Sequence, residues 1–149
     1  MQGKCYIEKA LIVDPKRKIN LIDEILGLFK EAKRSLWIMS PCIDYQFYRL
    51  IMDKASVGVD VRVITRPRTR IKGKRLRKIV KALDDSRKVQ HKSSRLTHAR
   101  IAIIDSEKAV ISTGDFSRDG LKGQFNICLV TDDKHLIALL RDFFLSAWR

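Results

Sequence analysis

The residues best placed to do chemistry lie in Thr97-His98-Ala99-Arg100-Ile101-Ala102-Ile103-Ile104-Asp105. An imidazole stands two residues before a guanidinium, four apolar residues follow, and the run ends on a carboxylate. Side chains of a β-strand alternate between its faces, so residues i and i+2 share one. His98 and Arg100 are therefore expected on one side of a strand, a nucleophile or proton carrier beside a fixed cation. Asp105 falls at an odd offset and turns away from them. With Ser106, Glu107 and Lys108 it reads as a turn into a second strand, Ala109–Ile111. A loop, Ser112-Thr113-Gly114-Asp115-Phe116-Ser117, comes next.

The rest of the chain supplies elements to hold that strand. Tyr6 to Val13 contains a first strand, stopped by Asp14-Pro15. A helix starts at Asn20, with Leu21, Ile22, Ile25, Leu28, Phe29 and Ala32 at helical spacing. Ser35 to Ser40 is nearly all apolar, as an inner strand covered on both faces should be. A second helix from Asp44 ends at Gly58, and Val59 to Thr65 alternates as a strand. This strand-helix-strand order predicts two parallel neighbours, whose C-terminal edge is where open α/β sheets bind ligands. Tyr45 and Tyr48 flank the helix start at that edge and are candidates to reach a ligand. Lys74 to Leu83 carries an apolar stripe of Leu76, Ile79, Val80 and Leu83, and a short strand is expected around Val89. Phe125 to Val130 forms a further strand. Asp132 or Asp133 caps a last helix with Leu136, Ile137, Leu140, Phe143, Phe144, Ala147 and Trp148 on a wide apolar face. The expected fold is α/β, one domain over 1–149, a mixed and mostly central β-sheet flanked by helices on both faces.

The 149 residues carry a formal net charge of +14, and the excess is local. Fourteen basic residues fall between Arg66 and Arg100, opposed only by Asp84 and Asp85. So concentrated a charge repels itself unless a polyanion neutralises it, which points to nucleic acid. Arg66, Arg68, Arg70, Lys72, Lys74, Arg75, Lys78, Lys92 and Arg95 are the candidate contacts. No apolar run approaches the roughly 20 residues of a membrane helix, and the N-terminus lacks the apolar core of a secretory signal. No membrane partner is expected, and the expected compartment is cytoplasmic. Cys5, Cys42 and Cys128 are odd in number and far apart, and read as reduced core thiols. With no CxxC pair and three histidines, neither a metal nor another cofactor is expected. Trp37, Trp148, Phe143 and Phe144 read as core residues, and His91 and His135 as surface ones.

At His98, Arg100 and Asp105, and in the loop that follows, the chain resembles the phospholipase D superfamily, in its branch of small single-motif Nuc-like endonucleases. That signature is His-x-Lys, four residues and Asp, then a Gly-Ser-x-Asn loop and an Asn-x-Glu strand start. His98 and Asp105 match it; Arg100 replaces the lysine, Asp115 the serine and Ser117 the asparagine. Gln124 and Asn126 stand at the later asparagine and glutamate. The order of elements agrees from Leu21 to Arg149. The resemblance implies a phospholipase D-like sandwich in which the histidine attacks a phosphodiester and forms a phosphohistidine without a metal. It also implies a homodimer, because one motif per chain leaves the second histidine to another copy.

The replacements predict weakened catalysis. Arginine keeps the charge but repositions a bound phosphate. Asp115 either repels phosphate, by up to ~4 kcal/mol at 4 Å and an effective dielectric of 20, or takes a cation from it. Asn126 removes a charged acceptor for the histidine. The first expectation is a homodimeric nucleic-acid-binding domain with weakened or absent phosphodiesterase activity, which could serve a larger nucleic-acid-processing protein. The alternatives are an active metal-independent nuclease using His98, and a regulatory domain sensing a small anionic ligand.

Overall fold

A computed structural model describes residues 3–149. Seven strands form one sheet in the order β1-β7-β6-β5-β2-β3-β4. They are β1 (Lys9–Val13), β2 (Ser35–Met39), β3 (Asp60–Thr65), β4 (Gln90–Ser93), β5 (Arg100–Ile104), β6 (Lys108–Ser112) and β7 (Asn126–Thr131). The helices are α1 (Ile22–Lys30), α2 (Tyr45–Ser56), α3 (Lys74–Asp85) and α4 (Lys134–Trp148). β2 and β3 pair in parallel, as a strand-helix-strand crossover dictates, and β4 continues parallel to β3. Every other pairing is antiparallel. The mixed sheet with helices on both faces is the architecture expected from the sequence.

Two cores flank the sheet. On one face, α1 and α2 meet the site loops through Phe29, Phe47 and Phe116, with ring centroids 5.2–6.0 Å apart. On the other, α4 lays Ile137, Leu140 and Phe144 over Trp37, Ile101 and Ile103. Trp37, Phe144 and Trp148 stack in sequence at 5.3 and 5.8 Å. β2 is buried on both faces, which its unbroken apolarity requires. Each fully buried isoleucine or phenylalanine here contributes about 1.5–3 kcal/mol.

Several expectations need correction. Phe143 is 46% exposed, because it lies about 100° around α4 from Phe144 and off the packed line. Cys5 is exposed ahead of β1 and is no core thiol; Cys42 is half-buried and Cys128 buried. His91 is not a surface residue, since its side chain is only 1% exposed. It points from β4 toward α3, where Asp84 Oδ1 meets Nδ1 at 2.5 Å and Thr65 Oγ1 meets Nε2 at 2.9 Å. Burial drives its pKa down, against the pull of Asp84. The cap of α1 is Leu21 rather than Asn20, although Asn20 Oδ1 accepts the Ile22 N–H at 3.3 Å.

Candidate phosphodiester site at one edge of the sheet

The pairing pattern gathers the chemical residues at one edge. β2 and β3 end there, antiparallel β5 begins there, β6 ends there and β7 begins there. His98 lies two residues before β5 rather than inside it, and it is exposed. The segment before β5 cannot extend as a strand because it is drawn toward β3. Ser94 N donates to the Thr65 carbonyl at 2.9 Å, and Thr97 Oγ1 to the same oxygen at 3.3 Å.

Arg66, the first residue beyond β3, fixes the histidine. Its Nε donates to the Thr97 carbonyl at 3.0 Å, and its Nη2 lies 3.2 Å from His98 Nδ1. A guanidinium can only donate, so Nδ1 accepts and a neutral His98 carries its proton on Nε2. Arg100 curls back through Nη1 onto the His98 backbone carbonyl at 2.9 Å, a contact that does not depend on the strand alternation expected of the pair. Its Nε is held by Asp115 Oδ1 at 2.8 Å in a partly buried ion pair. Cys42, at the end of the β2 edge, lies within the field of the same groups. Burial pushes its thiol up, and Asp115 adds to this against Arg66 and Arg100.

The loop that carries Asp115 is folded tightly on itself. A Cβ on Gly120 would fall 2.1 Å from the Asp115 carbonyl oxygen, and one on Gly114 would fall 2.5 Å from Asn126 Nδ2. Only glycine permits those approaches. Ser117 and Asn126 are occupied inside this fold. Ser117 Oγ accepts the Gly120 N–H at 3.1 Å, while Asn126 donates to the Gly120 carbonyl and accepts from Thr113 Oγ1, both at 2.9 Å. Ser40, fully buried, binds the Cys42 carbonyl and the Phe116 N–H, tying this loop to β2. Asp44 caps α2 and also accepts the Arg118 N–H.

Asp105 stands at the opposite end of β5. It opens a tight turn with Ser106, both at positive φ of 56° and 55°, closed by Glu107 N to the Ile104 carbonyl at 3.0 Å. Its carboxylate accepts the backbone N–H groups of Lys33, Arg34 and Ser35 at 2.7–3.1 Å. Burial pushes its pKa up, but the bonds from Arg34, Ser35 and Lys33 outweigh this and hold it below its ordinary value. Of the six residues chosen as catalytic candidates, His98, Arg100 and Asp115 adjoin at one edge. Ser117 and Asn126 brace their loop, and Asp105 is elsewhere.

Two clefts open at this edge, one against Asp115, the partner of Arg100, and one against Arg66, the partner of His98. One, of about 540 Å³, is lined by Cys42, Tyr45, Arg75, Asp115 and Arg118 among others, with Leu76 and Ile79 as apolar wall. Tyr45 is 61% exposed there and stacks on Tyr48, so it does reach the edge. The other, of about 610 Å³, is lined by Arg66, Arg70, Ser94, Arg95 and Leu96 and by no carboxylate. Arg68, Lys72, Lys74 and Lys78 are exposed along the turn after β3 and on α3. Lys92 is not with them, because its ammonium binds the Trp148 carbonyl and covers the Trp148 ring. Arg66 is the residue whose importance composition alone understates: sequence marks it as one base among fourteen, whereas the fold gives it the histidine. Among the described residues, no group of three or more His, Cys, Asp or Glu side chains could hold a metal ion. No helix among them is long and apolar enough to cross a membrane.

The family model described as "Cardiolipin synthase, PLD-like domain" matches residues 25–148. Among solved structures, NucT from Helicobacter pylori is similar with a TM-score of 0.77 at 17% identity, over 93% of this chain and 94% of that one. Nuc from Salmonella typhimurium, a phospholipase D family member, gives 0.78 at 13% identity, over 94% and 93%. An archaeal chromatin protein with a novel mode of DNA binding gives 0.61 at 15%, over 95% of this chain and 53% of that one. At these identities the likeness is one of fold. No curated protein matches.

Proposed function

Because the chain belongs to the phospholipase D-like family, we propose that it is a nucleic-acid-binding domain of that family in which phosphodiester hydrolysis is weakened or absent. The observation that carries this reading is the ion pair of Arg100 with Asp115 at 2.8 Å. The cation at the position of the family's lysine is already neutralised, and a phosphate arriving there meets a carboxylate. The His98 tautomer supports the same reading. With the proton on Nε2, the nitrogen that faces away from Arg66 has no free electron pair for attack on phosphorus. Eight of the nine basic residues chosen as nucleic-acid contacts are exposed, all but Arg66, and Lys92 among the eight is engaged by the Trp148 carbonyl, which leaves seven for the ligand. The DNA-binding mode named for the similar chromatin protein makes DNA the natural first probe.

The domain works as a pair of copies on this reading. On the face that α4 covers, the register carries Ile101 across to Ile111, Leu129 and Ala10, with Ile127 beside Ile12. The core under α4 includes no residue of β7 or β1. Ile127 and Ile12 remain 48% and 42% exposed, with Phe125 at 63% beside them. This open apolar strip borders Asn126 and Thr113, hence the site, and suits a second copy. Light scattering tests it, and a strict monomer overturns the pairing.

The test of function is cleavage of DNA and RNA in EDTA by the wild type and by His98→Ala, together with binding at rising salt. We expect no turnover from either protein, and affinity that falls steeply with salt, as phosphate contacts require. Turnover that disappears in His98→Ala establishes an active nuclease instead. A flat salt response removes the nucleic-acid reading.

A further inference from the structure

Leu96 is 90% exposed, more than any other large apolar residue described. It is not on a loose segment. Leu96 N donates to Ser94 Oγ at 3.1 Å, and Thr97 N to the Ser94 carbonyl at 3.2 Å. Ser94 and Thr97 are both bonded to the Thr65 carbonyl, Arg66 holds the Thr97 carbonyl, and Thr97 is 4% exposed. A turn tied down at five points thus presents one isobutyl group to water. Burying a leucine would gain about 1.5–3 kcal/mol, which the fold forgoes here.

The surroundings indicate what Leu96 meets. It shares its cleft with Arg66, Arg70 and Arg95 and with no carboxylate. Arg66 is engaged with His98, whereas Arg70 and Arg95 are exposed and make no ion pair among the described residues. One apolar tip between guanidinium groups matches a nucleic-acid duplex, where the apolar faces of a base step lie between anionic phosphates. A lipid surface offers the same two chemistries, but a single leucine gives it far too little apolar area. Even a myristoyl chain binds membranes only marginally by itself.

Building on the nucleic-acid reading above, we propose that Leu96 is a wedge that enters a base step of duplex DNA while Arg70 and Arg95 hold the flanking phosphates. Partial unstacking by an inserted apolar side chain costs a few kcal/mol per step. It is repaid by the protein surface that the kinked duplex then contacts. Flexible pyrimidine–purine steps are the cheapest to open, so the wedge gives a preference for such steps without reading any base edge.

The test uses a short duplex with 2-aminopurine at a central pyrimidine–purine step, whose fluorescence rises when the base unstacks. Wild type and Leu96→Met should raise it on binding. Leu96→Ala should bind about tenfold more weakly, with an unchanged salt slope and no fluorescence rise. Arg95→Ala should instead reduce the salt slope by about one. DNA binding by wild type without a fluorescence rise, or equal behaviour of Leu96→Ala, overturns the wedge and leaves the nucleic-acid reading standing. No duplex binding by wild type at low salt overturns both. Binding to vesicles of anionic phospholipid that Leu96→Ala abolishes, with DNA binding unaffected, overturns the wedge in favour of a membrane.

Discussion

The two ends of β5 each present an aspartate, and the two are used in opposite ways. Asp105 takes backbone N–H groups from three consecutive residues and consumes no side-chain cation in doing so. Asp115 takes the guanidinium of Arg100 and consumes a cation that adjoins His98. The first arrangement fixes a chain turn at no electrostatic cost to the ligand edge. The second places its stabilisation in the site itself, where it competes with any phosphate. An aspartate's partner, more than its place in a motif, decides whether it serves the fold or alters the chemistry.

The largest effect should come from Asp105→Ala. It strips the acceptor from three backbone N–H groups and places alanine at positive φ, so we expect a loss of about 2–4 kcal/mol in chemical denaturation. DNA affinity of the folded fraction should not change. The pH dependence separates this aspartate further. Its pKa is lower folded than unfolded, so its ionised form stabilises the protein above the ordinary carboxylate value of 3.8. That contribution is lost as pH falls through the lower folded value. The stability gap between wild type and Asp105→Asn should therefore shrink on acidification below about pH 4, and a gap that widens would contradict the assignment.

Asp115→Ser comes next. Releasing Arg100 should tighten DNA binding about fivefold to tenfold and steepen the salt slope by about one, with stability within about 1 kcal/mol of wild type. Unchanged affinity would mean that Arg100 is not a ligand group. Glu107→Gln should do least. It cuts an ion pair with Arg34 at 2.5 Å near Asp105, but both side chains are more than 60% exposed, so thermal midpoints should shift by no more than about 0.5 kcal/mol allows.

Much of the sheet is legible from local signals. The apolar run of β2, the alternation of β3 and the helix between them specify the parallel unit, and Asp105 announces its turn by its offset from His98. What was not legible depends on contacts between residues distant in sequence. Placing His98 inside a strand followed from alternation alone. The Ser94–Thr97 turn is instead captured by Thr65 and Arg66, about thirty residues upstream, before β5 can begin. His91 looked like a surface residue in the polar segment 86–96, and only the parallel docking of β4 beside β3 turns it toward Asp84. Lys92, one residue on, faces the other way and is taken up by the end of α4. The resemblance marks Ser117 and Asn126 as site groups; what it does not show is that both also brace their glycine-dependent loop, with Ser117 lining the cleft beside Asp115.

Arg66 has a consequence of a different kind. One guanidinium grips both a backbone carbonyl and the His98 ring, and it stands at the mouth of the cationic cleft. An anion that draws it away must give up the free energy with which the ring holds it. By reciprocity, the same free energy appears as freedom gained by the imidazole. Occupancy of the cleft and mobility of His98 are thus two readings of one equilibrium, and the ring's NMR signals should report ligand binding even in a protein that cleaves nothing.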